Sequence, residues 1–163
     1  MKRITVAFTG PSNSGKTTLI VKLSEYLKKQ NFKVCIVKND PKDKAKFDKE
    51  GKDSYKFSQT GAEVAVVSPN KTTLFKQSTS TIDDIIEMFG DFDYLLVEGL
   101  KTLPLPRIAI FRNSLDENYF EVTDAIATDD TIKSDKIPKS CEHLDLNDYK
   151  QIIRWIDING KKV

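Results

Sequence analysis

The sequence predicts an α/β fold with a doubly wound, mostly parallel sheet. Three observations lead there. Strand-like and helix-like stretches alternate along the 163 residues, the order that builds parallel sheets with helices on their faces. The strand-like stretches, such as ITVAFT at 4–9 and YLLV at 94–97, are apolar without strict alternation, as strands buried on both faces are. A glycine-rich loop stands between the first strand and the first helix. In such sheets ligands gather outside the C-terminal ends of the strands.

Taken in order, Ile4 to Thr9 is predicted as a strand and Thr17 to Lys29 as a helix, with Leu19, Ile20, Leu23, Tyr26 and Leu27 on one face. Lys33 to Val37 is the second strand, followed by a polar loop from Asn39 to Glu50. Asp53 can cap a short helix that Gly61 ends. Glu63 to Ser68 is a strand stopped by Pro69, and Thr73 to Lys76 another short one. Thr81 can cap a helix bearing Ile82, Ile85, Ile86 and Phe89, closed by Gly90. Tyr94 to Val97, Arg107 to Phe111 and Ala125 to Ala127 are further strands. A last helix from about Asn147 to Ile158 turns Tyr149, Ile152, Ile153 and Ile156 inward after Leu146. No repeat or linker interrupts the pattern, and one domain over residues 1–163 is expected.

Charge narrows the function. Lys and Arg total 26 against 24 acids, a net charge of +2, without the basic excess of a dedicated nucleic-acid binder. The lysines between Lys38 and Lys56 are interleaved with acids, as in a solvated loop. Cys35 and Cys141 are far apart and form no CxxC pair, so neither a zinc site nor a disulfide framework is expected. The apolar run after MKR is too short for a secretory signal. No stretch approaches the roughly 20 apolar residues of a membrane span. A cytoplasmic protein with reduced thiols, bound to neither membrane nor nucleic acid, is the expectation.

Residues 10–17 read GPSNSGKT, a full match to the phosphate-loop pattern GxxxxGK[ST], with a strand before and a helix after. Gly10 and Gly15 let the backbone turn so that successive N–H groups face phosphate oxygens. Lys16 brings charge to the terminal phosphates, Thr17 a hydroxyl for Mg²⁺, and the helix start its positive dipole end. This makes the sheet a P-loop NTPase fold. Such a site needs a carboxylate near the metal, from the end of a neighbouring strand. Asp93 and Glu98 bracket the same strand, roughly 16 Å apart at about 3.3 Å per residue. Only Glu98 lies at the C-terminal end, and it is the expected metal-associated or water-orienting acid; otherwise it caps a turn before Gly99. Lys38 and Asp40 follow the second strand, where they could contact phosphate and metal or merely begin a solvent loop. Lys52 and Asp53 open a helix, and Lys101 could reach a phosphate. His143, the only histidine, has no neighbouring ligand set and is expected to be structural or exposed; Trp155 is expected to pack with the last helix.

The chain resembles the molybdopterin-guanine dinucleotide biosynthesis protein B (MobB) family over nearly its whole length. The resemblance rests on GPSNSGKTTLIVKL, on GKDSYKFSQTGAEVAVV at 51–67, on LLVEGLK followed by PLPRIAIFR, on AIATDD at 125–130 and on LDLNDYKQIIRWI at 144–156. It implies a Mg²⁺-GTP site, weak hydrolysis, a homodimer, and a guanylyltransferase partner that attaches GMP to molybdopterin. By the same resemblance Gly10, Pro11, Ser12, Asn13, Ser14, Gly15, Lys16, Thr17 and Thr18 hold phosphates. Asp40 and Glu98 stand near the metal and are the catalytic candidates. Lys52, Asp53, Lys101 and Arg107 surround the working face, while Thr128 and Asp129 read guanine. One departure stands out: where the family carries a histidine-rich run, this chain reads KNDPKDK.

Two other classes remain. A small-molecule kinase using ATP on the same scaffold would need an acceptor pocket and a lid arginine, for which Arg107 and Arg112 are the candidates. A regulatory GTPase would read guanine through NKxD, but Asn70-Lys71 is followed by two threonines. A partition-type ATPase would carry lysine where Pro11 stands. With no general base and no in-chain arginine finger evident, binding with slow hydrolysis is the expected mechanism.

Overall fold

The computed structural model describes Met1–Val163. The chain, expected as one domain, separates into two compact units: Met1–Asn39 with Asp91–Val163, and Asp40–Gly90.

The first unit is built on a seven-stranded sheet. Its strands are β1 (Ile4–Thr9), β2 (Val34–Lys38), β5 (Tyr94–Glu98), β6 (Arg107–Phe111), β7 (Ala125–Thr128), β8 (Glu142–Asp145) and the short β9 (Lys161–Lys162). The order is β2-β5-β1-β6-β7-β8, all parallel, with β9 antiparallel against the start of β1. The mostly parallel sheet is thus as the sequence predicts. β1 sits where the strand order turns back. The chain goes to one side for β2 and β5 and to the other for β6, β7 and β8, so the crevice at the C-terminal end of β1 is the switch point.

Helix α1 (Lys16–Lys29) buries Leu19, Ile20, Leu23 and Leu27 at helical spacing, and Lys28 and Lys29 complement the dipole at its end. It packs with α4 (Tyr149–Asn159), where the rings of Tyr26 and Tyr149 lie 5.1 Å apart. Together they cover one face of the sheet. β6 shows how the two faces divide. Ile108 and Ile110 join the core under α1 and α4, while Ala109 and Phe111 join a smaller core with Ile126, Ile132 and Cys141. That second core is closed by Tyr119 and Phe120 of a 3₁₀ segment, Glu117–Val122. Trp155 is buried and donates its indole N–H to Glu142 at 2.9 Å.

The rim away from the phosphate loop is tied by Asp93. Its carboxylate accepts the backbone N–H groups of Lys33 and Lys2, both at 2.9 Å, which hold its pKa below the usual carboxylate value. Asp93 is therefore a structural clasp at the opposite end of β5 from Glu98.

The second unit holds α2 (Asp53–Ser58), the antiparallel hairpin β3 (Val64–Val67) and β4 (Thr72–Phe75), and α3 (Ile82–Phe89). One reading needs correction: Asp53 is the first helical residue of α2 and not its cap; Lys52 holds the cap position without a side-chain bond. The strand expected at 63–68 is present as β3, but it lies in a separate two-stranded sheet with Val66 and Val67 exposed. α3 is capped as expected: Thr81 and Asp84 exchange side-chain to backbone bonds in a capping box.

Candidate functional site

The site of the first unit starts with backbone geometry. Gly10 has φ +134°, and a Cβ there would run into the Ile110 carbonyl oxygen of β6, so only glycine lets β1 end in this loop. Asn13 and Gly15 also carry positive φ, 63° and 97°. The loop between them, 10–15, wraps the start of α1. Lys16 folds back over it and donates its ammonium to the carbonyls of Gly10 at 2.9 Å and Pro11 at 2.7 Å. Burial pulls the Lys16 pKa below the ordinary lysine value; the charge of Glu98 opposes that pull, and those of Lys38 and Lys101 add to it. The Ser14 hydroxyl is buried within the loop and has no hydrogen-bond partner.

Parallel register brings Glu98 to this loop. Phe8 of β1 pairs with Glu98 of β5, which pairs in turn with Lys38 of β2. All three strands run the same way, so Glu98 and the phosphate loop share the C-terminal rim. The Lys38 ammonium lies 3.2 Å from the Glu98 carboxylate, whose side chain is 15% exposed. Gly99, at φ +89°, turns the chain away. Arg107 holds the turn from beneath: fully buried, it donates to the carbonyls of Gly99 at 2.8 Å, Leu100 at 2.9 Å and Leu103 at 3.2 Å. Burial lowers its pKa, with the charge of Asp124 resisting. Arg107 is therefore a scaffold residue, with no part in a lid.

Other candidates fall less simply. Lys101 sets its ammonium over the Tyr119 ring at 3.6 Å, yet its charge still reaches Lys16. Asp40 belongs to the second unit, where its carboxylate accepts the N–H groups of Lys44 at 2.7 Å and Ala45 at 2.6 Å. Lys52 and Asp53 lie there too, Asp53 paired with Lys56 on the surface. The Thr128 hydroxyl bonds His143 at 2.8 Å, which gives the lone histidine a structural partner. The Asp129 carboxylate is held by the Thr131 hydroxyl and backbone N–H and lies 3.3 Å from Arg112 Nε. The Thr131 hydroxyl does most to keep the Asp129 pKa below the usual carboxylate value, helped by its N–H and by Arg112.

Two cavities open on this rim. One, about 320 Å³, is lined by Asn13, Gly15, Lys16, Thr17, Thr18 and Arg112. The other, about 410 Å³, is lined by Thr128, Asp129, Asp130, Ile132, His143, Asp145 and Asn147. Arg112 and Asn147 both border a small recess between them. Arg112 is the residue whose place at the loop the sequence does not disclose. It follows an apolar strand, and only the stagger of β6 against β1 puts it beside Gly15.

A phosphate loop closed by its own lysine, a strand-end carboxylate beside it and this strand order make a P-loop NTPase fold. The family model described as "Molybdopterin guanine dinucleotide synthesis protein B" (MobB) matches residues 5–129. The chain belongs to the MobB family. It is 29% identical over 160 residues to a Haemophilus influenzae protein named as a molybdopterin-guanine dinucleotide biosynthesis adapter, covering 93% of this chain and 86% of that one. A Methanocaldococcus jannaschii relative is 31% identical over 114 residues, 66% of this chain; the match spans about half (47%) of that relative's length. The crystal structure of Bacillus subtilis MobB superposes with a TM-score of 0.76 at 25% identity, over 98% of this chain and 99% of that one. The MobB resemblance read from the sequence is thus correct. No helix is long and apolar enough to cross a membrane.

Proposed function

We propose that the protein is a GTP-binding adapter in molybdopterin guanine dinucleotide synthesis. In this role it binds Mg²⁺-GTP, hydrolyses it slowly at most, and works in the cytoplasm with the guanylyltransferase that transfers GMP. The observation that carries the proposal is the meeting of Lys16 and Glu98 on one rim in a chain of this family, whose H. influenzae relative is named as an adapter.

The residues present suit the ligand. Gly10 leaves a cradle that any Cβ would fill, and the helix start with Lys16 offers donors and positive charge to phosphate. Thr17 and Glu98 supply hard oxygen atoms of the kind Mg²⁺ takes, one or two from protein and the rest from phosphates and water. When bound, the ion would neutralise charge on the terminal phosphates. Lys16 would exchange its two carbonyl partners for phosphate oxygens, and Glu98 would leave Lys38 for the metal side. Guanine over adenine is supported by the second cavity, which offers the carboxylates of Asp130 and Asp145, whereas that of Asp129 is taken up by Thr131 and Arg112. Carboxylates accept from guanine's N1–H and N2–H₂ edge, whereas adenine presents an acceptor at N1.

A homodimer belongs to the same reading. Its support is the apolar surface of the second unit, where Phe47, Phe57, Val67 and Leu74 are exposed.

Calorimetric titration of GTP and ATP with Mg²⁺ tests the proposal. Tighter GTP binding is expected, followed by stimulation of a guanylyltransferase when the two are mixed. A preference for ATP with phosphorylation of a small acceptor would instead establish a kinase. Glu98→Gln should keep the fold and weaken the Mg²⁺ dependence of GTP binding. Wild-type metal dependence in that variant would remove Glu98 from the site.

A further inference from the structure

We propose that Arg112 is the cation that receives the base-proximal phosphate of the bound nucleotide, and that Asp129 positions it. The inference rests on the nucleotide reading above and adds a residue to it.

Four observations support it. First, the guanidinium lies against the phosphate loop: a Cβ on Gly15 would stand 3.4 Å from its Cζ and Nε and 3.5 Å from Nη2. Second, the ion pair with Asp129 uses Nε at 3.3 Å, and the terminal amino groups have no protein acceptor. Arg112 therefore lines the phosphate cavity with donors to offer, next to Lys16, Thr17 and Thr18. The edge formed by the two terminal amino groups matches phosphate in a bidentate manner. Third, the Asp129 carboxylate is anchored on its other side by the Thr131 hydroxyl and N–H, so it is a fixed post that sets where the guanidinium sits.

The fourth observation selects the phosphate. β1 has β5 and β2 on one flank and β6, β7 and β8 on the other. Glu98 and Lys38 stand on the first flank, beside the metal side of the loop. Arg112 follows the end of β6 on the second, and beyond it lie the recess shared with Asn147 and the acidic cavity at the ends of β7 and β8. A nucleotide with its terminal phosphates toward Glu98 and its base toward Asp130 and Asp145 passes Arg112 at the phosphate next to the ribose. An arginine finger would sit at the opposite end of the chain of phosphates.

Affinities for GTP and GDP in variants of the intact chain test this. Arg112→Gln should weaken GTP and GDP alike, by about tenfold, the loss of one charge-assisted contact. Arg112→Lys should recover part of that loss, because a phosphate accepts an ammonium where a stacked base would not. Asp129→Asn should cost about threefold in the wild-type background and nothing further on Arg112→Gln, as a positioning role requires. Unchanged affinity in Arg112→Gln would overturn the proposal. So would a loss confined to GTP, or no recovery with lysine. An equal Asp129→Asn loss in both backgrounds would overturn the role of Asp129. Lys16→Ala separates the two levels: if that variant binds GTP normally, the nucleotide reading itself fails; if it does not bind while Arg112→Gln does so normally, only the present inference fails.

Discussion

Lys16→Ala is expected to reduce GTP affinity by at least about 100-fold, roughly 2.7 kcal/mol. The ammonium is the central charge of the loop, partly buried and bonded to the Gly10 and Pro11 carbonyls. In the complex its contacts pass to phosphate oxygens in a site of reduced dielectric, where a charge-assisted bond is roughly twice as strong as a neutral one. Alanine removes both the attraction and the two bonds that close the loop on itself. The fold should survive, because the strands and the face of α1 that buries Leu19, Leu23 and Leu27 are untouched. Calorimetry beside a thermal melt separates these effects. A near-wild-type Kd would mean that the loop holds no nucleotide.

Arg107→Met should act on stability first. Its guanidinium serves three carbonyls at 99–103 from a fully buried position. Methionine approximates the volume and leaves those acceptors without a donor, a cost of about 3 kcal/mol. For a chain of this size that lowers the melting midpoint by about 6–12 °C. The turn after Glu98 loosens as well, so Mg²⁺-dependent GTP binding should weaken along with the melt. Arg107→Lys should fall between, since an ammonium on a flexible stem cannot hold all three carbonyls in the same fork. A midpoint within 2–3 °C of wild type would show that water replaces the guanidinium at little cost.

Much of this site was legible in the sequence because strand direction is. A carboxylate at the C-terminal end of an apolar run must share the rim of the phosphate loop if the strands are parallel, and the Phe8–Glu98 register bears this out. The capping box at Thr81 was equally local, needing only a threonine followed three residues later by an acid. What escaped depends on stagger and partners. Arg107 and Arg112 flank one apolar strand and look alike in sequence, yet one is buried under the Glu98 turn and the other faces the phosphate cavity. β8 has one buried residue, Leu144, among exposed ones, too weak an apolar pattern to announce a strand. The 63–68 run carries the β-branched signature of a buried strand but not the identity of its partner, and its partner is a neighbouring hairpin strand.

β6 meets the site at three heights. Arg107 at its start secures the Glu98 turn, the Ile110 carbonyl lies against Gly10, and Arg112 follows its end beside Gly15. One strand thus serves as a common ruler for the Glu98 side and the Thr128 side of the rim. Sliding it by a single residue would swap its two cores and misalign all three contacts together. The two halves of the pocket have no separate adjustment, and neither can be retuned through this strand without disturbing the other.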